Sequence, residues 1–212
     1  MDNLEIINLW KKYDEKLEKT LSFNRRLIAD LEQQKAKKAL GPARNSKLFS
    51  VVMGLVYAAL IGLVLVYVGP FMSIFFKASV GIHLLVTIVA IGMYVNQIVL
   101  IQQIDRSEDV ISMQQKLASL QSSTIKVVAI CFLQLPVFST WNITFDMINQ
   151  RPLNFWLIQM PIVALFTFAG VWLFKNINVK NIDKKWFKLM FNGTEWKAMR
   201  KSARFLKEIE QF

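Results

Sequence analysis

The sequence predicts an all-α integral membrane protein: a four-helix transmembrane bundle with amphipathic helices on its cytoplasmic side. Three observations lead there. Hydrophobic residues make up 54% of the 212 residues and gather into long runs between Leu48 and Phe174, while the charges, net +11, collect at the two ends. A soluble domain would interleave the two. The runs are long enough to cross ~30 Å of hydrocarbon as helices and lack the alternation of barrel strands. Lys and Arg divide 24 to 2 between alternate sides of the spans, which places both termini in the cytoplasm.

The first 47 residues are too polar and too long for a signal peptide, so no cleavage is expected. Residues 4–40 contain no Gly or Pro and read as one long helix. Alternating steps of four and three connect Ile6, Trp10, Tyr13, Leu17, Thr20, Asn24, Leu27 and Leu31, a coiled-coil periodicity interrupted by the two polar members. Such a face packs either on the protein's own loop and tail helices or on a partner or second copy. Gly41-Pro42 separates this helix from the first span.

Residues 48–68 carry no charge and end at Gly69-Pro70. Within them Gly54, Ala58 and Gly62 recur every fourth residue, a stripe suited to close helix packing. Phe71, Phe75 and Phe76 form an aromatic belt next, and residues 78–101 return across the membrane. Without a break that helix would leave the membrane too far behind to re-enter at Val127. The break is expected at residues 105–109, with Ser107 capping a cytoplasmic helix near 108–121 whose first turn holds Glu108 and Asp109. Val110, Met113, Leu117 and Leu120 share one side of it, which should lie along the membrane or on the N-terminal helix. The third and fourth spans are residues 127–148 and 153–174, joined by a tight turn at 149–152.

Polar groups inside spans invite functional readings, with helix–helix hydrogen bonding as the plain alternative. His83 and Asp146 match in depth and could pair. Asn96 and Gln134 match nearer the inner face. Gln134-Leu135-Pro136 and Gln159-Met160-Pro161 repeat a Gln-x-Pro pattern, each proline freeing a carbonyl, Phe132 or Leu157, and kinking its span. The two glutamines differ in depth by about 10 Å at 1.5 Å per residue, so a shared site is not expected.

The tail, residues 175–212, interleaves basic and aromatic side chains: Lys184, Lys185, Trp186, Phe187, Trp196, Arg200 and Arg204 among them. A single-strand nucleic-acid binder uses that mixture. Tethered one residue beyond a span, it fits an anionic inner-leaflet lipid surface instead, so nucleic acid is set aside. Two short helices are expected, divided at Asn192-Gly193, with Asn192 and Glu195 at capping-box spacing and Trp196, Met199, Ala203 and Leu206 on one face. The Asn142 and Asn192 sequons read as chance.

No nucleophile elbow, phosphate loop or His-Glu-x-x-His occurs, and one His with one Cys cannot build a zinc site unaided. The single Cys131 excludes an internal disulfide. Neither an enzyme nor a cofactor is expected. The stretch LWKKYDEKLEKTLSFNRRL, with QQKAKKAL before the first span, resembles a group of uncharacterised bacterial four-span membrane proteins over residues 9–40. That resemblance implies a bacterial inner membrane and no catalytic residue. The expected role is an adaptor or regulatory scaffold presenting cytoplasmic helices. The alternatives are a small oligomeric transporter or channel using His83, Asn96, Gln134 and Gln159, and a lipid-binding or bilayer-shaping protein.

Overall fold

The computed structural model describes residues 3–107, 109–150 and 152–209, and its elements there are all helical. Helix α1 (Asn3–Ala39) meets α2 (Gly41–Tyr67) across Leu40 alone. Leu40 keeps right-handed helical dihedrals, and its amide bonds the Lys37 carbonyl three residues back. Gly41-Pro42 therefore opens α2 instead of forming a linker, because a proline in a first turn has no amide to lose. Gly69–Phe71 closes α2 in a 3₁₀ turn, and Ser73, accepting from the Phe76 amide at 3.1 Å, caps α3 (Ile74–Arg106).

The expected break after α3 is present, but Ser107 does not cap the next helix. Its hydroxyl donates back to the Gln103 carbonyl at 2.6 Å, ending α3. Asp109 caps α4 (Val110–Phe132) through the Ile111 and Ser112 amides. Glu108 lies outside the described residues. The separate cytoplasmic helix near 108–121 is also corrected, since α4 runs unbroken from the turn into the third apolar segment. It folds back along α3, so Met113, Leu117 and Leu120 are buried against protein. No Gly or Pro interrupts it before Pro136.

The third segment then breaks as α5 (Leu135–Thr140) and α6 (Phe145–Gln150). Leu133 and Gln134 bond three residues back, to Ile130 and Cys131, tightening the helix ahead of Pro136. The fourth begins as α7 (Pro152–Asn154), passes through a π-helical turn at Phe155–Gln159 and continues as α8 (Met160–Asn176). That turn lets the Met160 amide bond Phe155, five residues back, just before Pro161. The chain ends in a 3₁₀ turn at Val179–Asn181, α9 (Lys185–Met190) and α10 (Thr194–Ile209).

Four helical stretches, Trp10–Tyr67, Ile74–Arg106, Val110–Thr140 and Pro152–Asn176, are long and apolar enough to cross a membrane. Their apolar side chains face outward: Val52, Leu55, Leu63, Leu85 and Leu165 are all more than half exposed. The expected four-helix bundle is arranged as an open row. α2 packs on α3, α3 on α4 and α5, and those on α8, with α2 and α8 at the two ends. The best-packed core lies past the ends of these helices, on one side of the row. There the ends of α1, α3 and α4 meet α9 and α10 in a polar-surfaced head around Ala36, Ile104, Met113, Phe187 and Met199.

Candidate functional site

The head engages the last turns of α1 and leaves the rest of the helix free. Ala36, Leu40 and Ala43 are 0–1% exposed against the head, whereas Trp10 and Tyr13 are 68% and 67% exposed. Leu17, Leu27 and Leu31 are exposed as well. Ala36 sits about 140° around the helix from Leu31, five residues at 100° each, so docking the end of α1 turns Leu31 away, and from Trp10 to Leu27 the helix is exposed on every side. The side chain of Ile6 lies outside the described residues. The intramolecular reading of this stripe is thereby corrected from Trp10 to Leu31, because the protein's own helices do not cover it.

The tail is also corrected. Its aromatics do not lie out along a membrane surface but fill the head. Phe187 is fully buried and stacks on Phe191 at 4.2 Å, Trp196 closes on both rings, and Trp186 meets Trp172 at the end of α8. Lys184, Lys185, Arg200 and Arg204 stay exposed on the outer side. The capping box is not formed. α10 starts at Thr194, and the Glu195 carboxylate turns instead to Lys47 and Ser46.

That contact is the junction between head and row. The Lys47 side chain is 1% exposed, pairs with Glu195 at 2.5 Å and lies 4.7 Å from the centre of the Tyr94 ring; Ser46 donates to the other Glu195 oxygen at 2.6 Å. Burial holds the Lys47 ammonium below its usual range, and the Glu195 charge pulls it part of the way back. In the sequence Lys47 is only an orienting charge. Its one signal there is position: a lysine abutting the first apolar run.

Deeper in the row, Gln97 is 0% exposed and donates to Ser123 at 2.9 Å, while the neighbouring Asn96 faces outward. The Asn96–Gln134 bond is thus replaced by Gln97–Ser123, because successive helix positions differ by 100°. His83 does not pair with Asp146. Its Nε2 meets the Tyr57 hydroxyl at 2.6 Å, Phe138 covers the ring edge-on, and Gln134 approaches the imidazole; Asp146 is exposed. Beside His83 a side-opening apolar cavity of about 290 Å³ lies between α2, α3 and α5. Gln159 sits elsewhere, hydrogen-bonded to the Ser139 carbonyl and to the Asn142 amide, so the two Gln-x-Pro glutamines stay apart, as their depths require.

The small-residue stripe acts at one position. A Cβ on Gly54 would stand 2.9 Å from Ile91 Cγ1, whereas one on Gly62 would meet nothing within 4 Å, and Ala58 is only partly covered. Gly54→Ala should cost about 1 kcal/mol as Ile91 is displaced, and Gly62→Ala should be neutral or slightly stabilising through helix propensity. Thermal unfolding of both variants in one detergent checks the contrast; equal shifts would contradict it.

No protein-family model, curated protein or solved structure matches this chain.

Proposed function

We propose that this is a non-enzymatic multi-pass protein of a bacterial inner membrane, with both termini cytoplasmic, acting as an adaptor or regulatory scaffold. Its row of apolar helices is the anchor, and α1 presents a helical stripe to a partner. One observation carries the reading. From Trp10 to Leu31, about 32 Å of helix at 1.5 Å per residue, the periodic apolar stripe is uncovered, while the last turns of the same helix, around Ala36 and Leu40, are anchored in the head. An uncovered heptad stripe on an anchored helix suits helix-to-helix recognition. The 24-to-2 distribution of Lys and Arg supports the orientation.

A transporter or channel is the weaker reading. Of its four polar residues only His83 and Gln134 come together, beside Tyr57; Asn96 is exposed, Gln159 is bonded to Asn142 elsewhere, and an open row gives one copy no central path. The test is Leu17→Glu with Leu27→Glu in the full chain. Because neither side chain supports the fold, stability should change by less than about 0.5 kcal/mol per site. Crosslinking from native membranes should lose the α1-dependent product. Unchanged crosslinking would remove the adaptor reading and return weight to reconstituted flux assays.

A further inference from the structure

We infer that the cleft between the end of α1 and α10 is a binding site for the phosphate-bearing headgroup of an anionic lipid. The cleft encloses about 440 Å³, and Lys35 and Lys38 of α1 face Lys197 and Lys201 of α10 across it. Their spacings of three and four place each pair on one face of its helix. Only Lys35 has a carboxylate partner, Glu32 at 2.6 Å; Lys38, Lys197 and Lys201 have none among the described residues. Lys38 also borders a second cleft of about 330 Å³, lined by Lys37 and Arg44 and by one carboxylate, Asp105. Positive charge is therefore in excess in concave surface at the α1–α2 turn.

The position and the walls select a lipid. Pro42, which lines the cleft, precedes Leu48 by six residues, about 9 Å of helix. Lys38 and Lys35 precede Leu48 by ten and thirteen residues, about 15 and 20 Å of helix, so the lysines stand at the outer edge of the headgroup layer and reach it with their extended stems. Phe205 and Pro42 give the cleft an apolar lining that suits a glycerophosphate and not a fully hydrated anion. On sequence alone, lipid contact falls to Lys184, Lys185, Arg200 and Arg204 with the tail aromatics. The fold buries those aromatics and brings four other lysines together. This inference rests on the proposed membrane topology and does not depend on what the α1 stripe binds.

The test uses the full chain in nanodiscs of phosphatidylcholine alone or with added phosphatidylglycerol. After extraction into neutral detergent, lipid retained per chain and its affinity are measured by native mass spectrometry. Phosphatidylglycerol should be retained selectively. Lys38→Gln with Lys201→Gln should weaken it about 25-fold, at roughly a factor of five per lysine, and the two Lys→Arg changes should preserve it. Lys184→Gln with Lys185→Gln removes the same charge outside the cleft and should change retention little. Equal losses in both Gln pairs would overturn the site in favour of diffuse attraction. So would unselective retention of phosphatidylcholine. Inorganic phosphate bound in lipid-free detergent and lost with the cleft lysines would make it a soluble-anion site instead. Chains that insert normally but retain no anionic lipid would defeat this inference alone and leave the topology standing.

Discussion

Lys47→Met should undock the head from the row, at a cost of about 2–4 kcal/mol. Removing one member of a buried ion pair strands the other, and fully buried cases cost ~3–5 kcal/mol. Glu195 keeps 23% side-chain exposure and its bond from Ser46, which lowers the figure. The effect should be regional. α10 packs on α1, α2 and α4, so protease cleavage within residues 185–209 should rise while the apolar helices stay intact. Glu195→Gln alone should also destabilise, because the nearly inaccessible Lys47 ammonium loses its counter-charge. Lys47→Met with Glu195→Leu should recover most of the loss, since well-packed apolar replacements of a buried pair are often neutral or better. Additive losses in that cycle, measured by urea titration of Trp fluorescence, would show that the two residues are not coupled.

Gly170→Ala should cost about 2–3 kcal/mol, a large effect for one methyl group. A Cβ there would stand 2.9 Å from the Phe132 carbonyl oxygen, 3.3 Å from Pro136 Cδ and 3.4 Å from Leu135 Cβ. Overpacking ordinarily costs ~1–3 kcal/mol, and the upper end applies because the nearest atom is backbone and cannot rotate away. Pro136 is the cause. With no amide, it leaves the carbonyl four residues back without its helical donor, and α8 closes on that place through a residue without a side chain. Combining Gly170→Ala with Pro136→Ala should therefore be non-additive, since an amide restored at position 136 can straighten the helix and withdraw the carbonyl. Thermal unfolding of the two single variants and the double variant measures the coupling. Strict additivity would mean that the glycine and the proline act separately.

The same proline shows where sequence reading reaches its limit. That Pro136 frees Phe132 follows from chemistry along one chain. That Gly170, 34 positions beyond Pro136, receives the freed carbonyl does not. His83 stands out in the sequence as the only histidine, yet its partner is Tyr57, a residue without distinction inside an apolar run. Depth arithmetic matches His83 with Asp146 and Asn96 with Gln134, but depth is one coordinate and rotation about each helix axis is the other. A rotation of 100° exchanges Asn96 for Gln97. The tail is legible as two helices with the correct buried face on α10, while what covers that face is not.

Local chemistry along the chain is enough to set the elements themselves. It specifies four apolar helices, by uninterrupted length without charge; the break after α3, because the chain must return; and the proline positions where the third and fourth segments deform. The heptad stripe on α1 is equally a matter of near neighbours. Packing in three dimensions was needed for the rest: that the row stays open, that the tail aromatics enter the head, and that Lys47 is buried against Glu195. Only there does it emerge that the α1 stripe is left uncovered and that four lysines from two distant segments share a cleft. The physical reason is common to all of these. Periodicity and length are properties of adjacent residues, whereas burial and charge pairing depend on how each helix is turned about its axis and which others reach it.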